Sequence, residues 1–287
     1  MIFPLMFLLY TDLWSLGILL LMLWFSFAGK HKSAAIVAVL AVLTRQTNLI
    51  WVGYAVCLAI FKANENKLPE LSWKSIMQLL SLLWPYGTVF LGFGCFFIYN
   101  GGIAVGDQTN QSESLNLTNV SFLLITVGWL FWPVSVAEAW KNKPGRKELL
   151  IWIGVWLALA LFAWFNRHSS HNYNSPGLDF YIHNQLLYFW ADHPVGRILA
   201  LLGLFSAIIL VARTKLAMNP CGLFWVISMV SIALMPLVEF RYHVPILALF
   251  LILRDFTGTC MARWNVVWLA GLSAILFFLT HQGLAFL

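Results

Sequence analysis

Long apolar runs broken by short polar islands set the pattern of this chain. A helix rises about 1.5 Å per residue, so roughly 20 apolar residues cross a bilayer. Runs near that length cover 13–28, 75–98, 120–138, 148–165, 196–212, 222–238 and 264–281, with a shorter one at 243–254. A further run, 34–61, is split by Thr44-Arg45-Gln46-Thr47-Asn48. The pattern predicts an all-α, polytopic transmembrane bundle of about eight spans plus a broken or re-entrant hairpin at 34–61. Met1 to Leu9 reads as the tail of a preceding helix or a membrane-lying segment. The organisation expected is one membrane-embedded domain over 1–287 with two longer polar loops, 100–120 and 166–195.

Composition supports lipid as the solvent. With 61% hydrophobic and 10% charged residues and a mean hydropathy of +0.82, a soluble domain of 287 residues could not bury its apolar surface. The net charge of +6 would suit nucleic acid, but its distribution follows membrane topology instead. If the two arms of 34–61 meet at Arg45, 13 of the 17 basic residues fall on one face, which the positive-inside rule makes cytosolic. The other four are Arg45, Arg167, Arg197 and Arg241, with no lysine among them. A planar guanidinium suits bidentate recognition of phosphate or carboxylate, so that face reads as anion-binding.

The polar islands are Tyr10-Thr11-Asp12, Thr44 to Asn48, Asn100-Gly101-Gly102 running on to Gly106-Asp107, Asn166-Arg167-His168, and Glu239-Phe240-Arg241-Tyr242. Polar groups kept at the edge of hydrocarbon are functional-site candidates because their desolvation costs several kcal/mol on typical scales. The loop after Asn100 carries N-x-[ST] sequons at Asn110, Asn116 and Asn119, of which Asn110 and Asn116 are the expected glycan acceptors on a lumenal loop. The 166–195 loop is rich in His, Asn, Tyr and Trp, which suits sugar recognition: rings cover C–H faces and amides bond hydroxyls. His168 with His171, and His183 with His193, match no zinc spacing, and the four cysteines are scattered, so neither a metal site nor a disulfide framework is expected.

Taken in order, LYTDLWS (9–15), TRQTNLIW (44–51), WPY (84–86), NGGIAVGD (100–107), NRH (166–168) and EFRYHVP (239–245) resemble the eukaryotic membrane glucosyltransferases that add the terminal α-1,2-linked glucose to the dolichol-diphosphate-linked oligosaccharide. The resemblance implies a GT-C-type helical enzyme of the endoplasmic reticulum membrane with its active face in the lumen. It implies inverting transfer of glucose from dolichyl-phosphate glucose to that lipid-linked glycan during N-glycan precursor assembly, without a cofactor. The islands then supply candidate substrate-binding residues: Arg45, Gln46, Asn48, Gly101, Gly102, Asn166, Arg167, His168, Arg241 and Tyr242.

Inverting transfer needs a base for the acceptor hydroxyl and stabilisation of the leaving phosphate. Arg45 and Arg241 are the first choices for the phosphate, and Asp107 and Asp12 the candidate bases, ahead of Asp179, Asp192 and Glu239. The resemblance implies a first helix and an acidic first lumenal loop, expected to hold the catalytic carboxylate, that have no counterpart before Met1, so an amino-terminally truncated chain that does not catalyse efficient transfer is expected. Ser169-Ser170-His171 replaces the aromatic run that follows Asn-Arg-His in the family, so acceptor contacts in that loop are expected to differ. The alternatives are a non-catalytic membrane-interaction derivative of the enzyme and a transporter or channel. Against the latter, the charges gather at one face and do not line a path through the bilayer.

Overall fold

The computed structural model describes residues 2–64, 72–102, 115–168, 185–216, 222–235, 237–254 and 259–281. Among these, regular structure is helical apart from one isolated antiparallel bridge between Leu216 and Arg254. The helices are α1 (Ile2–Phe27), α2 (His31–Thr44), α3 (Leu49–Ala63), α4 (Trp73–Asn100), α5 (Leu117–Leu130), α6 (Trp132–Lys141), α7 (Arg146–Phe165), α8 (Gln185–Asp192), α9 (Pro194–Arg213), α10 (Leu223–Ala233), α11 (Val244–Leu253) and α12 (Thr259–His281). Three described helices, α4, α7 and α9, are long and apolar enough to cross a membrane, and α5 with α6 makes a fourth if that bent pair is one span. The chain divides into two compact units, Met1–Gln111 with Met218–Ser231, and Ser112–Ala217 with Ile232–Leu287.

In the first unit, α1 runs unbroken from Ile2, so residues 2–9 belong to it and are neither the tail of another helix nor a separate surface segment. The turn from α1 into α2 is clamped by Tyr86 of α4, whose hydroxyl donates to Ser26 Oγ at 3.0 Å and lies 3.1 Å from His31 Nδ1. Since Tyr86 has one proton to give, His31 takes the tautomer that donates from Nδ1. Trp51, Tyr54 and Phe224 form a buried aromatic cluster, Trp51 and Tyr54 edge-on at 5.9 Å.

Two expected spans are interrupted, each at residues of the second unit. The 120–138 run bends by 69° between α5 and α6, at Phe131. Pro133 has no N–H for the Trp129 carbonyl, which instead accepts from the Trp268 indole at 2.7 Å. Ser135 Oγ donates to the Ser206 carbonyl at 3.0 Å, and Ser206 Oγ to the Gly128 carbonyl at 2.8 Å. A break at membrane depth persists only when its backbone groups find partners in the protein, and the Trp268 and Ser206 side chains provide them.

The 222–238 run likewise stops early: α10 ends at Ala233, and a short 3₁₀ turn over Phe240–His243 precedes α11. Pro236 disfavours helix in the residue before it. The freed carbonyls are taken by α5, where Asn116 N–H donates to Ala233 O at 2.7 Å and Asn119 Nδ2 donates to Met235 O and Leu237 O at 2.9 and 2.8 Å.

Candidate functional site

The first unit holds the Thr44–Asn48 island. α2 ends where Arg45 takes an extended conformation (φ −151°, ψ 117°), and a 3₁₀ turn over Gln46–Asn48 leads into α3. The expected interruption of 34–61 is therefore real and falls at Arg45. Asn48 is buried and gives both amide donors to the fold, one to Ser15 Oγ and one to Ala41 O, each at 2.8 Å. It shapes the break and ties it to α1, while Arg45 and Gln46 stay half-buried at its surface. At the far end of α4, Gly101 caps the helix at φ +71°, a conformation that favours glycine, and Asn100 Nδ2 donates to Gly102 O at 3.0 Å. Gly106, Asp107 and Asn110 lie outside the described residues, as does the side chain of Asp12.

The second unit contains a cavity of about 270 Å³ bounded by α5, α7, α8 and α9. Its lining follows helical periodicity: Thr118, Ser121, Phe122 and Ile125 from α5; Ala160, Ala163, Trp164 and then Arg167 from α7 and its end; Arg197, Ala200, Leu201 and Leu204 from α9. Each set is spaced i, i+3, i+4, i+7, one face of a helix. Polar members sit where α5 and α9 begin and α7 ends, and apolar members lie deeper. The result is a groove with a polar mouth and an apolar floor.

Arg167 and Arg197 converge there on one indole, their guanidinium carbons 4.6 and 5.1 Å from the Trp164 ring centroid. Arg167 also donates from Nε to His168 Nε2 and from Nη1 to Trp164 O, both at 3.1 Å, and Arg197 donates from Nε to Ala191 O at 2.8 Å. His168 Nε2 lies 3.5 Å from Asp192 Oδ1, both side chains half-exposed. Because that nitrogen accepts from Arg167, neutral His168 carries its proton on Nδ1 and offers Asp192 none. Asn166 caps α7 by donating from Nδ2 to Phe162 O at 2.8 Å.

The Glu239–Tyr242 island lies behind the groove wall. Phe122 packs on Trp190 at 5.1 Å and on buried His243 at 5.2 Å. Tyr242 N–H donates to Glu239 O at 3.2 Å, and the side chain of Arg241 lies outside the described set. Asn116, expected to carry a glycan, is only 5% exposed, so its amide is not presented for modification in this fold. Among the described residues no group of His, Cys, Asp and Glu is placed to hold a metal ion.

The fold and groove define a helical, membrane-type protein with a cationic mouth above an apolar cleft. The DIE2/ALG10 family profile matches residues 1–77 and 65–253, and the chain belongs to that family. It is 25% identical over 191 residues to the Dol-P-Glc:Glc(2)Man(9)GlcNAc(2)-PP-Dol alpha-1,2-glucosyltransferase of Candida glabrata, covering 58% of this chain and 37% of that protein. Proteins of the same name match from Rattus norvegicus, at 25% over 158 residues (44% and 33%), and Homo sapiens, at 26% over 146 residues (40% and 31%). The alignments thus span about a third of the length of these curated relatives. No solved structure matches the chain.

Sequence reasoning found Asn166-Arg167-His168 and grouped Arg197 with the other lysine-free-face arginines, but it missed Trp164, Thr118 and Ser121. The shared i, i+3, i+4, i+7 spacing on three helices is the signal that could have found them.

Proposed function

We propose that this protein transfers glucose from dolichyl-phosphate glucose to the dolichol-diphosphate-linked oligosaccharide, forming an α-1,2 linkage with inversion, at the lumenal face of the endoplasmic reticulum membrane. The family match running from residue 1 to 253 carries this reading, and the names of the relatives supply donor, acceptor and linkage. In this reading the chain forms a GT-C-type bundle of about eight spans, with 34–61 as a re-entrant element. The acceptor hydroxyl oxygen bonds to C1 of glucose and yields its proton to a carboxylate, with Asp107 and Asp12 the candidates. The C1–O bond breaks with its electron pair left on dolichyl phosphate, where arginines meet the developing charge.

The test is transfer by the purified full chain in lipid nanodiscs from radiolabelled dolichyl-phosphate glucose to a diglucosylated dolichol-linked acceptor, read at single turnover. One added hexose that an α-1,2-glucosidase removes is expected; no gain over a protein-free control rejects the reaction. In the same assay Arg45→Lys, which keeps charge but loses the fork, should lower the transfer rate by about tenfold or more. Wild-type rates for both Arg45→Ala and Arg241→Ala would remove these two residues from the mechanism.

Topology is checked separately. A Ser114→Cys protein in sealed microsomes should resist an impermeant maleimide until detergent opens the vesicles, and labelling without detergent would put this loop in the cytosol.

A further inference from the structure

We infer that the α5–α7–α9 groove binds a polyisoprenyl phosphate, with the chain between the helices and the phosphate held by Arg167, Arg197 and Ser121. The choice of an isoprenoid over another lipid tail rests on the glucosyltransferase reading above. The phosphate and the single embedded chain are read from the groove.

Three observations point to an anion with an apolar tail. First, neither guanidinium is paired with a carboxylate among the described residues, although two cations share one indole. Two cations on one ring leave a local excess of positive charge that a bound anion offsets. Arg167 Nη2 and both terminal nitrogens of Arg197 carry no hydrogen bond to described residues, which leaves donors for phosphate oxygens. Second, Ser121 lines the same cavity, is 4% exposed, and its Oγ has no hydrogen-bond partner among the described residues. Buried hydroxyls are normally satisfied, so this one is placed for a ligand acceptor. Third, the floor beyond this mouth is hydrocarbon: Ile125, Ala160, Leu201 and Leu204. The small side chains of Ala160, Ala163 and Ala200 keep the cleft open between two helices that are each long enough to span a membrane.

Charge supports the same occupant. A phosphodiester joining isoprenoid to sugar carries one negative charge, and the monoester left after the sugar departs carries up to two. Two guanidiniums match that range.

The test uses the full chain in nanodiscs and a diazirine-tagged polyisoprenyl monophosphate, with cross-linked peptides mapped by mass spectrometry. Label should fall on α5, α7 and α9, and untagged polyisoprenyl phosphate should displace it while equimolar dioleoyl phosphatidic acid does not. The Arg167→Gln/Arg197→Gln double variant should lose labelling by about tenfold or more, and Ala163→Phe should lose it with both arginines intact. If the glutamine variant does not fold, Arg167→Lys/Arg197→Lys replaces it, with reduced labelling expected. Label on other helices, equal displacement by phosphatidic acid, or wild-type labelling of the folded variants overturns the proposal. Labelling requires no glucosyl transfer. A labelled groove without transfer therefore keeps the site and rejects the reaction, and transfer with an unlabelled groove does the reverse.

Discussion

Asn119→Leu is expected to destabilise the second unit by about 2–5 kcal/mol, enough to abolish a monodisperse peak at ordinary extraction temperatures. Asn119 is 0% exposed, and its Nδ2 is the donor for the Met235 and Leu237 carbonyls in the unwound segment between α10 and α11. Leucine has a similar volume but no donor, so one buried and one part-buried carbonyl lose their partner at once. Each such loss costs about 1–3 kcal/mol, and water is not at hand in hydrocarbon to replace it. Asn119→Asp should fare as badly, because it sets lone pairs against lone pairs. Thermal scanning with size-exclusion readout in one detergent decides the matter, and a midpoint for Asn119→Leu within a degree of wild type would show that the segment is held by something else. The same burial removes Asn119 as a glycan acceptor, although its sequence is a sequon.

Gly128→Val is expected to give no folded protein, and Gly128→Ala to cost about 2–3 kcal/mol. A Cβ at position 128 would land on the Gly203 carbonyl oxygen of α9, and the nearby backbone is helical and cannot step aside. Small residues let helices approach closely where lipid supplies no hydrophobic drive between them. The Ser206-to-Gly128 hydrogen bond depends on that approach, as does the Trp129 indole bond to the Leu199 carbonyl at 2.9 Å. Gly154→Ala in α7 is the control: its Cβ meets nothing within 4 Å, and alanine is better than glycine in a helix by about 0.5–1 kcal/mol. Equal stability of the Gly128→Ala and Gly154→Ala proteins would contradict the close α5–α9 contact. Since α9 supplies the groove floor at Leu201 and Leu204, Gly128→Ala should also weaken lipid labelling there.

Much of the helix order was legible because hydrocarbon imposes a simple demand: a long apolar run must satisfy its backbone internally, which means helix. The break at Arg45 was legible for the complementary reason that five polar residues interrupt such a run. Proline gave no comparable guide. Pro85 lies inside α4 without ending it, whereas Pro133 marks a 69° bend. What differs is the surroundings, since Trp268 and Ser206 come from distant stretches of chain to meet carbonyls around the α5–α6 break. The stop of α10 before Pro236 is of the same kind, with its partners Asn116 and Asn119 more than a hundred residues earlier.

The sequence by itself determined a helical, largely apolar chain and an ordered series of polar motifs, because hydropathy and residue chemistry are local properties. Only the tertiary structure decided which arginines act together. Arg167 and Arg197 are far apart in sequence, yet the packing of α7 and α9 sets both on Trp164. It also separated scaffold from site: Asn48 reads as a substrate-binding candidate, Tyr86 as a member of the WPY motif and Asn119 as a sequon residue, but their donors are committed to the fold. Ser121, in sequence only the third residue of the Asn119 sequon, lines a cavity with a hydroxyl that has no hydrogen-bond partner among the described residues. Whether a polar side chain supports the protein or a ligand depends on which groups packing brings within hydrogen-bond reach, and a one-dimensional pattern does not contain those distances.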